Sequence, residues 1–273
     1  TDGTIVGSES TPHETHYPGP LQAEQNAEDW WAGVCANTGK LLERHPDAAG
    51  RVVVVGVSGH MLGCLPVDEK IQPLRPCMIH SDSRAKEPFR HVVDTVGKRA
   101  MYELTGNILD PRSSLCKMLW LKQNEPAVYR STHRFLQSKD FVVARLTGNP
   151  DTGDYSDASH AQVLDVNAWD YATDVLADLG LGAGKLPELH RGMDVVGEVT
   201  TRAAEQTGLP QGVPVVAGGG DGACATLGAG VASPGRAYCC MGSTSWIACA
   251  TQEPYIDEKA RVFNILNMDG ATN

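Results

Sequence analysis

Two apolar runs stand out in a chain that otherwise changes between helical and loop-like patterns. Residues 52–57 read Val-Val-Val-Val-Gly-Val and residues 213–217 read Val-Pro-Val-Val-Ala. Successive rather than alternate apolar positions predict strands covered on both faces, the habit of parallel sheets. Around them the period changes to helical spacing. Residues 27–44 place Trp31, Val34, Leu41 and Leu42 along one helix, with Glu28 and Asp29 near its start and Pro46 beyond its end. Acids there suit the helix dipole. Residues 83–144 are mainly helical in pattern, with Met118, Leu119, Trp120 and Leu121 as an apolar face. Shorter helices are predicted over residues 171–179, 201–207 and 222–231, and extended pieces over 4–10 and 195–199. Hairpins are predicted over 64–79 and 237–250, and a turn-rich segment over 151–159. Buried strands joined by helices define an α/β fold. The break at Ala232-Ser233-Pro234-Gly235 divides the chain into domains 1–232 and 233–273.

Composition narrows the class. Hydrophobic residues at 41% and charged residues at 21% suit a globular domain with a real core. A net charge of −10 argues against nucleic acid and anionic membrane as general partners. No apolar run approaches the roughly 20 residues of a membrane span, and the polar start lacks the basic segment of a secretory leader. The eight cysteines (Cys35, Cys64, Cys77, Cys116, Cys224, Cys239, Cys240 and Cys249) form no C-x-x-C pair. They predict mostly buried free thiols, no metal site, and a reducing, cytoplasmic compartment.

Candidate chemistry collects after the two apolar runs. Gly218-Gly219-Gly220-Asp221 follows the second. A dinucleotide fingerprint needs G-x-G-x-x-G and a distant acid, and a phosphate loop needs Gly-Lys-Ser or Gly-Lys-Thr; neither is present. An aspartate there would also repel a pyrophosphate on the helix N-terminus. Two readings stay open: Asp221 caps the following helix, or it is a functional carboxylate at the strand end, where α/β sheets bind ligands. After the first run, residues 56–63 include His60, Met61 and Leu62 and line the same cleft if the two strands are neighbours. His60 alone reads more readily as structural than as catalytic. Asp82 and Arg84 read as a local ion pair. Residues 241–245, Met-Gly-Ser-Thr-Ser, form a tight turn whose donors suit a phosphate.

Taken in order, several stretches resemble the FGGY family of carbohydrate kinases, in particular its xylulose-kinase-like branch. They are Ala27-Glu28-Asp29-Trp30-Trp31, residues 56–63, residues 80–84, Leu104-Thr105-Gly106-Asn107, Lys117-Met118-Leu119-Trp120, residues 136–140, residues 154–158, residues 218–222 and residues 241–245. The resemblance covers essentially the whole chain. It implies a ribonuclease H-like (actin-type ATPase) fold of two lobes, with sugar held mainly by the first, ATP and Mg²⁺ by the second, and phosphoryl transfer between them. It places the catalytic base on Asp221, sugar contacts on His60, Met61, Leu62, Arg112 and Asp221, and ATP phosphate contacts on Gly242, Ser243 and Thr244. A homodimer is compatible with it.

Three departures qualify what the resemblance implies. The xylulose-kinase-like pattern has Gln-Met-His-Gly where this chain has His60-Met61-Leu62-Gly63, and Asp-Asn where it has Asp221-Gly222. Both remove polar sugar contacts, so D-xylulose stands first among substrates with another ketose or a polyol behind it. Asp2-Gly3-Thr4 does not match the family's first phosphate loop, and residues 262–273 read as the third strand of the second lobe. The expected molecule therefore lacks the first hairpin and most of the second lobe, and shows no turnover by itself. The competing readings are a non-catalytic sugar-binding or regulatory module of the same fold and, less well supported, a dinucleotide-dependent oxidoreductase.

Overall fold

The computed structural model describes residues 3–241 and 245–273. The long first helix, Ala27–Arg44, starts where Asn26 accepts the Glu28 N–H at 3.2 Å, and Glu28 and Asp29 occupy its first turn. Trp31 is its buried anchor, and the indole N–H reaches Gln206 at 3.1 Å on the helix Thr201–Thr207. The helices Lys98–Thr105, Ser138–Thr147 and Thr201–Thr207 all stop at glycines with left-handed backbones: Gly106, Gly148 and Gly208. Ser113 caps Ser114–Asn124 by accepting the Cys116 N–H at 3.2 Å.

Two hydrophobic clusters form the core. One joins Met101, Leu115, Leu119, Leu121, Phe135, Val163, Leu164 and Leu176. The other joins Ala27, Trp31, Leu65, Val67, Phe141, Val143, Leu146, Ala203 and Val215. The helix Ser138–Thr147 contributes heavily to the second and, through its first turn, carries the polar groups that meet the candidate site.

The strands are short and paired two by two. Ser58–Gly59 runs parallel to Gly219–Gly220 with Gly219 opposite Ser58 and Gly220 opposite Gly59. A parallel bridge between Val55 and Val215 extends the same alignment. Leu65–Val67 pairs with Arg134–Leu136, and Val195–Glu198 with Pro214–Val216, both antiparallel. The hairpin Ala237–Met241 and Ser245–Cys249 pairs in register from Ala237 opposite Cys249 to Met241 opposite Ser245, as its sequence predicts.

Several expectations are corrected. Residues 52–57 are not buried on both faces: Val53 is 76% and Val54 48% exposed, and among the described residues the run is paired along one edge only. Residues 4–10 form no strand among the described residues and are largely exposed. Within 151–159, read as turns, Gly153–Asp154 is a strand and Tyr155–His160 a helix capped by Asp154, which accepts the Ser156 N–H at 2.8 Å. Residues 262–273, expected as a strand, form none. They dock as irregular chain on the body, where Asn264 Nδ2 donates to Gly106 O at 2.9 Å and Leu266 N to Ser159 Oγ at 3.1 Å. Of the cysteines, Cys64, Cys77 and Cys116 are buried, while Cys239 and Cys249 are exposed; all eight are free thiols. No helix among the described residues is long and apolar enough to cross a membrane.

Candidate active site

The parallel pairing brings the two glycine-rich segments together. Gly219 N donates to Val57 O at 3.2 Å, and Val55 N and Val216 N hold the strands in line through Pro214 O and Val55 O at 2.9 and 3.0 Å. Residues 60–63 and Asp221 therefore leave neighbouring strands at the same end, where α/β sheets bind ligands. Gly218 has a left-handed backbone (φ 72°), and any Cβ there would collide with Val57 O. The glycine lets the second strand close on the first.

Asp221 opens the helix Asp221–Gly228, with Gly220 as the N-cap residue. Its side chain is exposed, and its Oδ1 accepts the Gly222 N–H at 2.8 Å. The cap reading is thus met only in part. Asp221 sits one residue inside the helix, so its carboxylate remains available to a ligand in the cleft.

Residues 60–63 are fixed from beneath. Ser138 Oγ donates to His60 O at 3.0 Å, and the buried Lys117 Nζ donates to Leu62 O and Ile79 O at 2.6 and 2.7 Å. Gly63 N donates to Gln137 Oε1 at 2.6 Å and Ser114 Oγ to Gly63 O at 2.7 Å. These anchors hold Leu62 in a left-handed conformation (φ 61°) that a branched apolar residue seldom adopts. Burial lowers the Lys117 ammonium to about 8, while nearby Cys77, Cys64 and Asp82 support its charge.

Met61 does not face the cleft as a free side chain. It is buried against the glycines, where a Cβ on Gly220 would lie 2.5 Å from its Cγ and 2.7 Å from its Sδ. His60 has a largely buried ring, edge-on to Trp30 at 5.5 Å and tilted against His80 at 5.8 Å. Burial lowers its pKa to about 4. Arg112 is exposed and bound bidentately to Asp110, with both contacts at 2.8 Å.

Two histidines were not singled out from the sequence. His80 follows Cys77–Met78 and faces His60. His160 ends the helix Tyr155–His160, one turn beyond Ser156, whose Oγ accepts the Gly220 N–H at 3.0 Å. The backbone there also meets the Arg112 segment, since Leu115 N donates to Ala161 O at 3.1 Å. Burial lowers both imidazole pKa values, opposed by the Asp221 charge. His80 and His160 thus lie within reach of the Asp221 charge, and both, like His60, are neutral imidazoles with one donor and one acceptor each. The sequence signal for them was position alone: His80 opens the quoted stretch 80–84, and His160 lies two residues past the stretch 154–158.

Asp82 and Arg84 form the ion pair expected of them. Asp82 is fully buried, accepts the Ala23 N–H at 2.8 Å and holds the Arg84 guanidinium at 2.6 Å, with Arg84 also bonded to Glu24. Gly242, Ser243 and Thr244 lie outside the described residues; only the strands flanking them are seen.

An α/β body that carries a carboxylate at the mouth of two parallel strands, flanked by glycines, has the fold of one lobe of an actin-type kinase. The solved structures agree. A xylulose kinase from Rhodospirillum rubrum superposes with a TM-score of 0.90 at 26% identity over 96% of this chain and 53% of that one. A Plasmodium falciparum glycerol kinase with ADP shares the fold at a TM-score of 0.82 and 18% identity, over 90% of this chain and 50% of that one. Residues 1–228 match the N-terminal domain of the FGGY family of carbohydrate kinases, and the chain belongs to that family. A xylulose kinase of Klebsiella pneumoniae is 33% identical over 256 residues, 94% of this chain and 52% of that protein. A gluconokinase of Bacillus subtilis is 24% identical over 262 residues, 96% of this chain and 50% of that protein. The chain spans about half the length of the curated relatives it matches.

Proposed function

We propose that this chain supplies the sugar-binding lobe and the general base of an ATP-dependent sugar kinase acting on a ketose such as D-xylulose or a related sugar or polyol. The observation that carries this reading is the exposed Asp221 carboxylate at the end of Gly219–Gly220, directly beside residues 60–63 on the parallel neighbour. Asp221 accepts the proton of the attacking hydroxyl, a role typically worth about 10²–10⁴-fold in rate. His60, His80 and His160 supply neutral donors and acceptors to the other hydroxyls, Leu62 borders the sugar, and Arg112 closes its far side. Met61 acts from below by keeping the glycine strand in place. Residues 1–232 form the sugar-binding part, and residues 233–273 begin the nucleotide-binding part, with Gly242, Ser243 and Thr244 facing the ATP phosphates.

Mg²⁺ bound to ATP would neutralise phosphate charge during transfer. Among the described residues, the one cluster of three carboxylates, Asp140, Asp154 and Asp157, does not fit that ion, because the Lys139 ammonium stands among them. The eight free thiols support a reducing compartment, the cytoplasm.

The test is coupled ADP release over a panel of ketoses, aldonates and polyols, using the longest reading frame that contains this chain and its Asp221→Asn variant. Turnover on one sugar, reduced at least 100-fold in the variant with sugar affinity kept, is expected. The 273-residue chain alone is expected to bind sugar without turnover. A frame that binds ATP and sugar yet releases no ADP would refute the kinase reading.

A further inference from the structure

Below the strand end that carries Asp221 lies a charged cluster with no part in the chemistry above. Lys139 is fully buried, and its Nζ contacts Asp140, lies 2.9 Å from Asp154 Oδ1 and 3.8 Å from Asp157 Oδ2. The ammonium fills the centre that the three carboxylates surround, so a cation of the chain's own already occupies it. Asp154 Oδ2 accepts both the N–H of Ser156, at 2.8 Å, and its hydroxyl. Ser156 Oγ in turn accepts the buried Gly220 N–H at 3.0 Å. Gly220 is the N-cap of the helix that Asp221 opens.

The same cluster touches the other strand. Ser138, next to Lys139, donates to His60 O at 3.0 Å. A Cβ on Gly59 would fall 2.8 Å from the Lys139 backbone N and 3.1 Å from its Cβ. The helix start at residues 138–139 therefore lies against both strand ends, directly at Gly59 and through Asp154 and Ser156 at Gly220. Asp154 is held in turn by strand pairing of Gly153–Asp154 with Leu189–His190.

We propose that Lys139, Asp154 and Ser156 form a positioning relay that sets the Asp221 carboxylate against residues 60–63. Each link is a hydrogen bond or ion pair between fully buried groups, so the relay has one geometry and transmits it to the backbone amide preceding Asp221. Ser156 is the link that can be cut alone. Removing its hydroxyl leaves the Lys139–Asp154 ion pair whole and takes the partner from one amide. Burial, and then the Asp154 charge, push the Asp157 carboxyl well above the usual carboxylate range, which disfavours a third negative charge in the cluster. The catalytic part of the proposal rests on the kinase reading; the geometric part does not.

Two measurements on Ser156→Ala test it separately. In the longest reading frame, kcat is expected to fall at least 10-fold with the sugar KM changed less than 2-fold. Added to Asp221→Asn, the same substitution is expected to cost nothing further, because its effect runs through that carboxylate. A loss equal in both backgrounds, or a lowered Tm with unchanged kcat, overturns the relay in favour of a purely structural cluster. In the 273-residue chain, amide exchange at Gly220 is expected to accelerate at least 10-fold. Unchanged exchange overturns the proposal whether or not any sugar is turned over. If no sugar supports turnover but Gly220 exchange responds, the relay stands and the kinase reading fails. Should Ser156→Ala fold poorly, Ser156→Cys keeps the shape with a weaker acceptor and is expected to give an intermediate loss.

Discussion

His60 should make the fold acid-sensitive by an amount the structure sets. Its ring is packed against Trp30 and His80, its Nε2 is buried with no partner among the described residues, and its Nδ1 lies a long 3.4 Å from Met61 O. Burial lowers its pKa from 6.5 to about 4. The unfolded chain therefore takes up the proton first as the pH falls. The advantage of the neutral ring is intact above pH 6.5 and disappears as the pH drops through 4. At about 1.4 kcal/mol per pH unit, the full separation is worth roughly 3 kcal/mol. About 2 kcal/mol of it should be gone by pH 5. Urea unfolding of the wild type and His60→Gln, compared between pH 7.5 and 5, isolates this contribution because His80, His160 and the carboxylates titrate in both. The variant should lose about 2 kcal/mol less over that range, whatever its stability at pH 7.5. Parallel curves, or an imidazole titration by NMR with its midpoint near the ordinary histidine value, would refute the reasoning.

Other substitutions probe the scaffold of the site. Gly220→Ala sets a methyl 2.5 Å from Met61 Cγ and should destabilise by about 1–3 kcal/mol in chemical denaturation. Adding Met61→Ala should restore part of that loss, and failure to do so would locate the strain elsewhere. Asp82→Ala leaves Arg84 buried without its bidentate partner and frees the Ala23 amide, so a loss of about 3–5 kcal/mol is expected. A loss below about 1 kcal/mol would show that Glu24 alone satisfies Arg84.

The local signals in the sequence proved sufficient where a helix or turn closes on itself. Glu28, Asp29 and the apolar spacing gave the helix Ala27–Arg44, and the small-residue turn between apolar strands gave the hairpin Ala237–Met241 with Ser245–Cys249. Elements that depend on distant partners were less legible. Tyr155–His160 is rich in residues that favour caps and turns, yet it is helical because Asp154 caps it and neighbouring chain buries it. Residues 262–273 have the apolar content of a strand, but Asn264 spends its side chain on Gly106 and Tyr255 and fixes them as irregular chain. The strand-end position of Asp221 was readable because glycine and a β-branched run mark it. The nearness of His80 and His160 was not, since it arises from Lys117, Ser156 and the backbone between Leu115 and Ala161.

The candidate site draws on residues near positions 60, 80, 112, 160 and 221, five segments far apart in the chain. Contacts so far apart in sequence close late in folding, after the entropy of every intervening loop has been overcome. A ligand seated there bridges the early and late parts of the chain at once and should slow opening throughout the body, not at one loop. Protection from proteolysis can therefore serve as a search tool: a candidate sugar added at 100 times its dissociation constant adds about 2.7 kcal/mol to the whole cooperative unit. Resistance to a protease, scanned across a library of sugars, would then single out the substrate before any phosphate is transferred.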